Sequence, residues 1–120
     1  MSDRRRKPVD RAACEAAGID VDEVLGRVLG REDVVERLFA AYLHDESVTK
    51  LGDALETGDL NAAERAAHAL KGVSSNLAME TLSQMAVETL ALVRAGDVKG
   101  ARRLYPTLLD AHGRVVAAIS

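Results

Sequence analysis

Residues 59–76 read DLNAAERAAHALKGVSSN, and the spacing of their apolar side chains is typical of one amphipathic helix. On a helical wheel with about 100° per residue, small and aliphatic side chains gather within roughly 60° of Ala63. Asp59 is the predicted N-cap of this helix. Besides Ala63, the predicted buried stripe contains Leu60, Ala67, Leu70, Ser74 and Leu77, with Ala66 and Val73 widening it on one side.

His68 lies on the opposite side of this wheel, at about 140° from Ala63. We therefore expect its imidazole to face solvent. This placement disfavours a buried structural histidine and leaves a plain surface histidine open as an interpretation. The residues that share the polar face with His68 are Asn61, Glu64, Arg65, Lys71, Gly72 and Ser75.

Two neighbours of His68 favour a functional role over a plain surface histidine. Gly72 follows at i+4 in mid-helix, where glycine costs about 1 kcal/mol relative to alanine, and its missing side chain would let another molecule approach the ring. Lys71 at i+3 places an ammonium beside the imidazole, which disfavours ring protonation and attracts an anion. An exposed, neutral imidazole beside a cation suits phosphoryl transfer, which depends mainly on positioning and charge stabilisation.

The rest of the chain also predicts helices and no strands, because apolar residues recur at helical spacing between capping signals. Short connections between long helices favour antiparallel neighbours. We expect an all-α, antiparallel up-down-up-down four-helix bundle with a short additional N-terminal helix, in which Pro106 kinks the last helix. The predicted helices span residues 21–29, 32–56, 60–76, 79–94 and 97–119. Residues 1–17 are interpreted as a flexible or partly helical tail, and residues 18–120 as the bundle domain.

Composition limits the possible functions. The chain has 120 residues, 48% of them hydrophobic, which is enough for one core and too little for two ordinary domains. No apolar run reaches the roughly 18 to 20 residues of a membrane span, so we expect a cytoplasmic protein that does not bind membranes. Cys14 is the only cysteine, which excludes an internal disulfide and a cysteine metal cluster.

A basic run at residues 4–7, RRRK, could indicate nucleic-acid binding. It has no interleaved aromatic residues, and without residues 1–7 the chain has 12 basic against 18 acidic residues. We interpret the run as a solvated tail, because an acidic body binds a phosphate backbone poorly. His44 and His112 lack a lysine–glycine partner and are interpreted as surface histidines, and Gly52, Gly100 and Gly113 as local packing or fraying.

Residues 67–72, AHALKG, and their continuation to Leu82 resemble the signature of histidine-containing phosphotransfer (Hpt) domains, in which His-x-Leu-Lys-Gly precedes a short turn. The resemblance extends from about Gly18 to Ile119. It implies that His68 carries a phosphoryl group on Nε2, that Lys71 stabilises the phosphoryl oxygens and that Gly72 leaves room for the partner. Glu64, Arg65 and Ser75 would be partner contacts.

The resemblance also implies the partners and the activity. The partners would be receiver domains of response regulators, which bring their own magnesium ion, together with a hybrid sensor kinase. The protein would be a monomer without a cofactor, and without kinase activity or ATP binding of its own. A second hypothesis keeps the bundle but not the chemistry, so that the His68 face only docks or sequesters a receiver domain.

The sequence departs from the family pattern at two positions. Ala78 stands in the turn after the third long helix where the family usually has glycine, so either Ala78 or Asn76 is expected to adopt a positive φ. Leu90 stands where some relatives carry a glutamine that faces the histidine. We therefore expect Lys71 alone to hold the phosphoryl group.

Overall fold

A computed structural model describes residues 8–120, so the basic run at residues 4–7 lies outside the described residues. Between residues 8 and 120 the chain is helical, and its only strand-like pairing is an isolated bridge between Ile19 and Met79. The helices are α1 (Arg11–Ala16), α2 (Val21–Arg27), α3 (Glu32–Tyr42), α4 (Ser47–Thr57), α5 (Leu60–Asn76), α6 (Glu80–Arg94) and α7 (Val98–Ile119). The predicted all-α class is confirmed.

The four C-terminal helices form the body of the molecule. Helix α5 packs between α4 and α6, and α7 contacts both α6 and α4, so that the four helices enclose a common core. The core includes fully buried leucines from several helices, among them Leu51, Leu70, Leu82 and Leu108. A helical bundle is therefore the fold, and α5, the helix with His68, has a neighbour on each side.

Helix α1 packs on α7, and Cys14 is fully buried in the core. Asp10 caps α1 by accepting a hydrogen bond from the backbone N–H of Ala13 at 3.1 Å. Part of the predicted tail is thus an ordered helix in contact with the bundle.

The predicted single helix over residues 32–56 is wrong, because the chain breaks between Tyr42 and Ser47 to give α3 and α4. At the break the backbone N–H of Ser47 donates to Asp45 Oδ1 at 2.8 Å. Short polar side chains such as aspartate compete with the helix for backbone groups in this way. The apolar pattern continues on both sides, with Tyr42 and Val48 buried, and therefore does not reveal the break.

Ala78 adopts a positive φ of 56°, whereas Asn76 is the last helical residue of α5. The left-handed conformation costs a non-glycine residue about 1–2 kcal/mol. Hydrogen bonds hold this turn: Ala78 O accepts from the backbone N–H of Asp20 at 2.8 Å, Ser74 O accepts from that of Met79 at 2.9 Å, and Ser75 O accepts from that of Ala78 at 3.1 Å. The alanine methyl is also buried, which offsets part of the conformational cost.

Gly52 is a packing residue. The ring of Tyr105 from α7 lies against α4, and its hydroxyl donates to Val48 O at 2.9 Å. A Cβ added at Gly52 would lie 2.7 Å from Tyr105 Cζ, closer than real Cβ atoms come to other groups. Glycine at this position therefore lets α4 and α7 pack closely.

The surface interpretation holds for His44, which is exposed, and is wrong for His112, which is half-buried. The hydroxyl of Tyr42 lies 2.8 Å from His112 Nδ1, and the two ring centroids are 5.7 Å apart. Burial lowers the pKa of His112, and the nearby Asp45 carboxylate partly opposes this shift. His112 therefore joins α7 to the end of α3 as a neutral ring.

The free energy of unfolding is expected to decrease as the pH falls below about 6.5, the ordinary pKa of histidine. The pKa of His112 is lower in the folded protein than in the unfolded chain. Its contribution to the free energy of unfolding is therefore complete above the pKa of the unfolded chain and is lost as the pH falls toward the pKa of the folded protein. Urea unfolding between pH 7.5 and 5 measures this slope. A His112→Gln variant should flatten it, and an equally steep slope in that variant would contradict the assignment.

Candidate functional site

Helix α5 is built as its sequence predicts, with one exception. Asp59 Oδ1 accepts a hydrogen bond from the backbone N–H of Ala62 at 3.0 Å and thereby caps the helix. Of the predicted stripe, Ala63, Ala66, Ala67, Leu70, Ser74 and Leu77 are buried and Val73 is partly buried. Leu60 is 36% exposed, so its predicted burial is wrong.

Ser74 is the one buried polar side chain on the inner face of α5. Its hydroxyl donates to Leu70 O at 2.6 Å, four residues earlier in the same helix. The hydroxyl is therefore satisfied within the helix, so Ser74 takes no part in the solvent-facing site.

The opposite face of α5 presents His68 to solvent. His68, Gly72 and Ser75 are exposed and Lys71 is partly buried. Among residues 8–120, neither the imidazole of His68 nor the ammonium of Lys71 has a hydrogen bond or ion pair. Both groups are therefore available to an incoming molecule.

Gly72 has open space around it. A Cβ added at this position would meet no atom within 4 Å outside its own stretch of helix. In contrast to Gly52, no neighbouring element of the fold requires glycine here. The missing side chain leaves open space on the face of α5 that carries His68, one turn away.

Helix α6 contributes Arg94, the residue at its C-terminal end. Its Nε donates to Glu64 Oε2 at 3.0 Å, and Glu64 precedes His68 by one turn. A shallow cavity of about 340 Å³ lies here, lined by Asn61, Glu64, Arg65, His68 and Arg94. The structure thus brings the predicted residues Glu64, Arg65 and His68 together and adds a cation from another helix.

Ser75 lies at the other end of the same face. Its hydroxyl is 2.8 Å from that of Ser83 on α6, and it does not line the cavity at His68. Leu90, at the position of the family glutamine, is 3% exposed and belongs to the core. The polar group that α6 supplies beside His68 is therefore Arg94, one turn after Leu90.

The C-terminal end of α5 is capped by a residue from outside helices α4 to α7. The guanidinium of Arg27 on α2 donates to Ser75 O at 2.6 Å and to Asn76 O at 2.8 Å. These carbonyls are among the last of the helix, and Ser75 O also accepts from the backbone N–H of Ala78 at 3.1 Å. Arg27 also pairs with Glu23, which orients its guanidinium.

Sequence reasoning missed both Arg94 and Arg27. The partner of Arg94 lies 30 residues away along the chain, and the two partners of Arg27 lie 48 and 49 residues away. These contacts therefore depend on how the helices pack. A basic residue near a helix end has an ordinary explanation in the helix dipole. No local pattern therefore distinguishes these two arginines from other surface cations.

Two other surface features lie away from His68. The larger groove, of about 780 Å³, runs between α4 and α5 and is lined by small and charged residues including Ala62 and Asp53. Carboxylate oxygens of Asp20, Glu23 and Glu80 lie within 4.8 Å of one another near α2. Asp20 already caps α2 and Glu23 already pairs with Arg27, so these groups have structural roles. Across residues 8–120, no helix is both long and apolar enough to cross a bilayer.

The fold and the site define a small helical bundle that carries a surface histidine site. Residues 42–118 match the sequence model of the Hpt domain, and the chain belongs to this family. The match spans α4 to α7 and includes His68, Lys71 and Gly72. Neither the curated proteins nor the solved structures gave a significant match. Hpt domains act in phosphotransfer in two-component signalling, where they work with the receiver domains of response regulators.

Proposed function

We propose that this chain is a phosphorelay intermediate that accepts a phosphoryl group on His68 from a receiver aspartate and passes it to a second receiver. The observation that carries the proposal is the exposed imidazole of His68 beside Gly72. The ring has no partner among residues 8–120, and no contact in the fold requires glycine at position 72. Glycine at this position weakens the helix, and beside an exposed imidazole it leaves room for another molecule to approach the ring.

The chemistry needs one nucleophile and no general base from this chain. The lone pair of neutral His68 Nε2 attacks phosphorus in line, forming a phosphorus–nitrogen bond. The phosphorus–oxygen bond to the receiver aspartate breaks, and the aspartate leaves as a carboxylate. In the second transfer another aspartate carboxylate attacks phosphorus and the imidazole leaves. Magnesium belongs to the receiver in this proposal, and this chain has no cofactor of its own.

Lys71 stabilises the charge on the phosphoryl oxygens. Lys71 is a partly buried residue one turn from His68 on the same face, and its ammonium has no ion-pair partner in residues 8–120. A hydrogen bond to a charged group contributes about 1.5–3 kcal/mol when both partners are well placed. Lys71 therefore contributes to the transfer through its charge.

A Lys71→Ala variant is expected to slow phosphoryl transfer by about tenfold, which corresponds to about 1.4 kcal/mol of lost transition-state stabilisation. A time course of label transfer from a phosphorylated receiver, with samples quenched at fixed intervals, measures this rate. Lys99→Ala, which removes an exposed lysine from the first turn of α7, is the matched control and should leave the rate unchanged. Equal rates for the two variants would show that the Lys71 charge is unimportant.

The experiment that tests the function is incubation of the protein with phosphorylated receiver domains, followed by analysis of the label. We expect a label on this chain that is stable to base and labile to acid, as a phosphohistidine is. A complex that forms without any label would instead support the second hypothesis, a bundle that docks a receiver domain and is not phosphorylated. No specific observation favours that second function, because docking alone needs neither His68 nor Gly72.

We further propose that α4 to α7 form an up-down-up-down four-helix bundle preceded by short N-terminal helices. The pairing of Ser75 with Ser83 and of Glu64 with Arg94 supports this, because the order of contacts reverses between α5 and α6. Glu64, Arg65 and Ser75 would contact the receiver. The protein would act as a cytoplasmic monomer downstream of a hybrid sensor kinase, without kinase activity and without binding nucleic acid.

A further inference from the structure

The ion pair between Glu64 and Arg94 lies beside the nucleophile. The guanidinium of Arg94 is 3.0 Å from Glu64 Oε2, and the two side chains are 53% and 45% exposed. Glu64 is one turn from His68, and both line the same cavity as Arg94. Residues one turn apart on a helix are within side-chain contact distance. Arg94 is therefore within reach of a group attached to the imidazole.

A phosphoryl group on His68 would compete with Glu64 for this guanidinium. It brings about two negative charges and three acceptor oxygens, whereas Glu64 brings one charge. The planar guanidinium fork matches phosphate oxygens in two parallel hydrogen bonds. An exposed ion pair such as Glu64–Arg94 contributes little to stability, so exchanging one partner for another costs little.

Arg94 is the only basic residue of α6. Leu90, one turn earlier, has an apolar side chain that is buried in the core. Lys71 lies at i+3 from His68, whereas Glu64 and Arg94 lie toward the start of α5. The phosphoryl group would therefore have Lys71 on one side along the helix axis, and on the other side Arg94 together with the exposed Arg65, which lines the same cavity.

We infer that the Glu64–Arg94 ion pair exchanges partners, an arrangement called the latch below. Arg94 leaves Glu64 to bind the phosphoryl group on His68. Glu64 shortens the lifetime of the phosphorylated state by competing for the Arg94 guanidinium. This inference rests on the proposed phosphorylation of His68. Hydrolysis of a phosphoimidazole proceeds more readily once the ring is protonated, and a nearby guanidinium disfavours that protonation. Arg94 should therefore prolong the life of the phosphorus–nitrogen bond, and Glu64 should oppose this effect.

Phosphoramidate, a small phosphoryl donor, tests this without a receiver. Its phosphorus–nitrogen bond breaks, ammonia leaves, and a new bond forms to His68 Nε2 of the full-length protein. The half-life of the label is then measured at fixed pH in the wild type, Arg94→Gln and Glu64→Gln. The control is Arg114→Gln on α7, where the arginine Nε also donates to a carboxylate at 3.0 Å. The Nε–H signal of Arg94 in the NMR spectrum gives a second readout.

We expect Arg94→Gln to shorten the half-life about threefold and Glu64→Gln to lengthen it about twofold, as exposed charges of this kind would give. Arg114→Gln should have no effect, and the Arg94 Nε–H signal of the wild type should shift on phosphorylation. A labelled protein with the same half-life in Arg94→Gln would overturn the latch alone. A shorter half-life in Glu64→Gln would also overturn the latch, because the ion pair would then serve only to hold α5 and α6 together. An unlabelled wild type would overturn the proposed function and the latch together.

Discussion

A His68→Gln variant is expected to accept no phosphoryl group from either a receiver or phosphoramidate, because no other histidine occupies an equivalent site. Glutamine keeps the polar character of an exposed helix position and has no nucleophilic nitrogen at neutral pH. The free energy of unfolding should change by no more than about 0.5 kcal/mol, as is usual for surface substitutions. Label incorporation and urea unfolding measure the two quantities in the same preparation.

His44→Gln provides the matched control for this experiment. His44 is also exposed, but it lies between α3 and α4 and has neither a lysine nor a glycine in the positions of Lys71 and Gly72. This variant should incorporate label as the wild type does. If His68→Gln retained acid-labile label while His44→Gln lost it, the assigned nucleophile would be wrong. The proposal would also fail if His68→Gln remained folded and fully active in transfer.

A Gly72→Gln variant is expected to lose transfer from a receiver by about a hundredfold, because a displacement of about 1 Å from the reactive geometry has an effect of this size. Phosphoramidate is small, so direct labelling of His68 should change much less. The helix itself should become more stable by up to about 1 kcal/mol, since glycine is a poor helix former and a Cβ here meets no atom within 4 Å. The comparison of the two donors separates blocked access from damaged chemistry.

Gly113→Gln is the control for Gly72→Gln. Gly113 is exposed within α7, and a Cβ added there also meets no atom within 4 Å. The variant should gain a similar amount of stability and transfer phosphate at the wild-type rate. A Gly72→Gln protein that is less stable yet fully active with a receiver would contradict both parts of the expectation.

The sequence predicted the helix that carries the site because its signals are local. The N-cap at Asp59 and the wheel position of His68 depend only on residues within α5, and both agree with the structure. The exposure of Leu60 was not predicted, for the opposite reason. Whether a residue on the inner stripe is buried depends on where the neighbouring helices end, and the sequence of one helix does not contain that information.

The break between α3 and α4 and the second cation at the site also depend on relations that a local pattern does not contain. Asp45 interrupts a continuous apolar periodicity with one side-chain hydrogen bond to the backbone of Ser47. Arg94 reaches Glu64 only because α5 and α6 pack in one particular register. The family resemblance implies the chemistry proposed for His68, but it does not predict contacts specific to this chain, such as that between Arg94 and Glu64.

Arg27 has a consequence for where the functional unit begins. Residues 42–118, the part that matches the Hpt domain, contain the proposed nucleophile His68 and helices α4 to α7 except Ile119. They do not contain the guanidinium that binds Ser75 O and Asn76 O at the end of α5. A chain trimmed to the matched residues would lose this guanidinium from both carbonyls, and Ser75 O would keep its hydrogen bond from the backbone N–H of Ala78 at 3.1 Å. The segment before the recognised domain therefore supplies part of the C-terminal cap of the helix that carries His68.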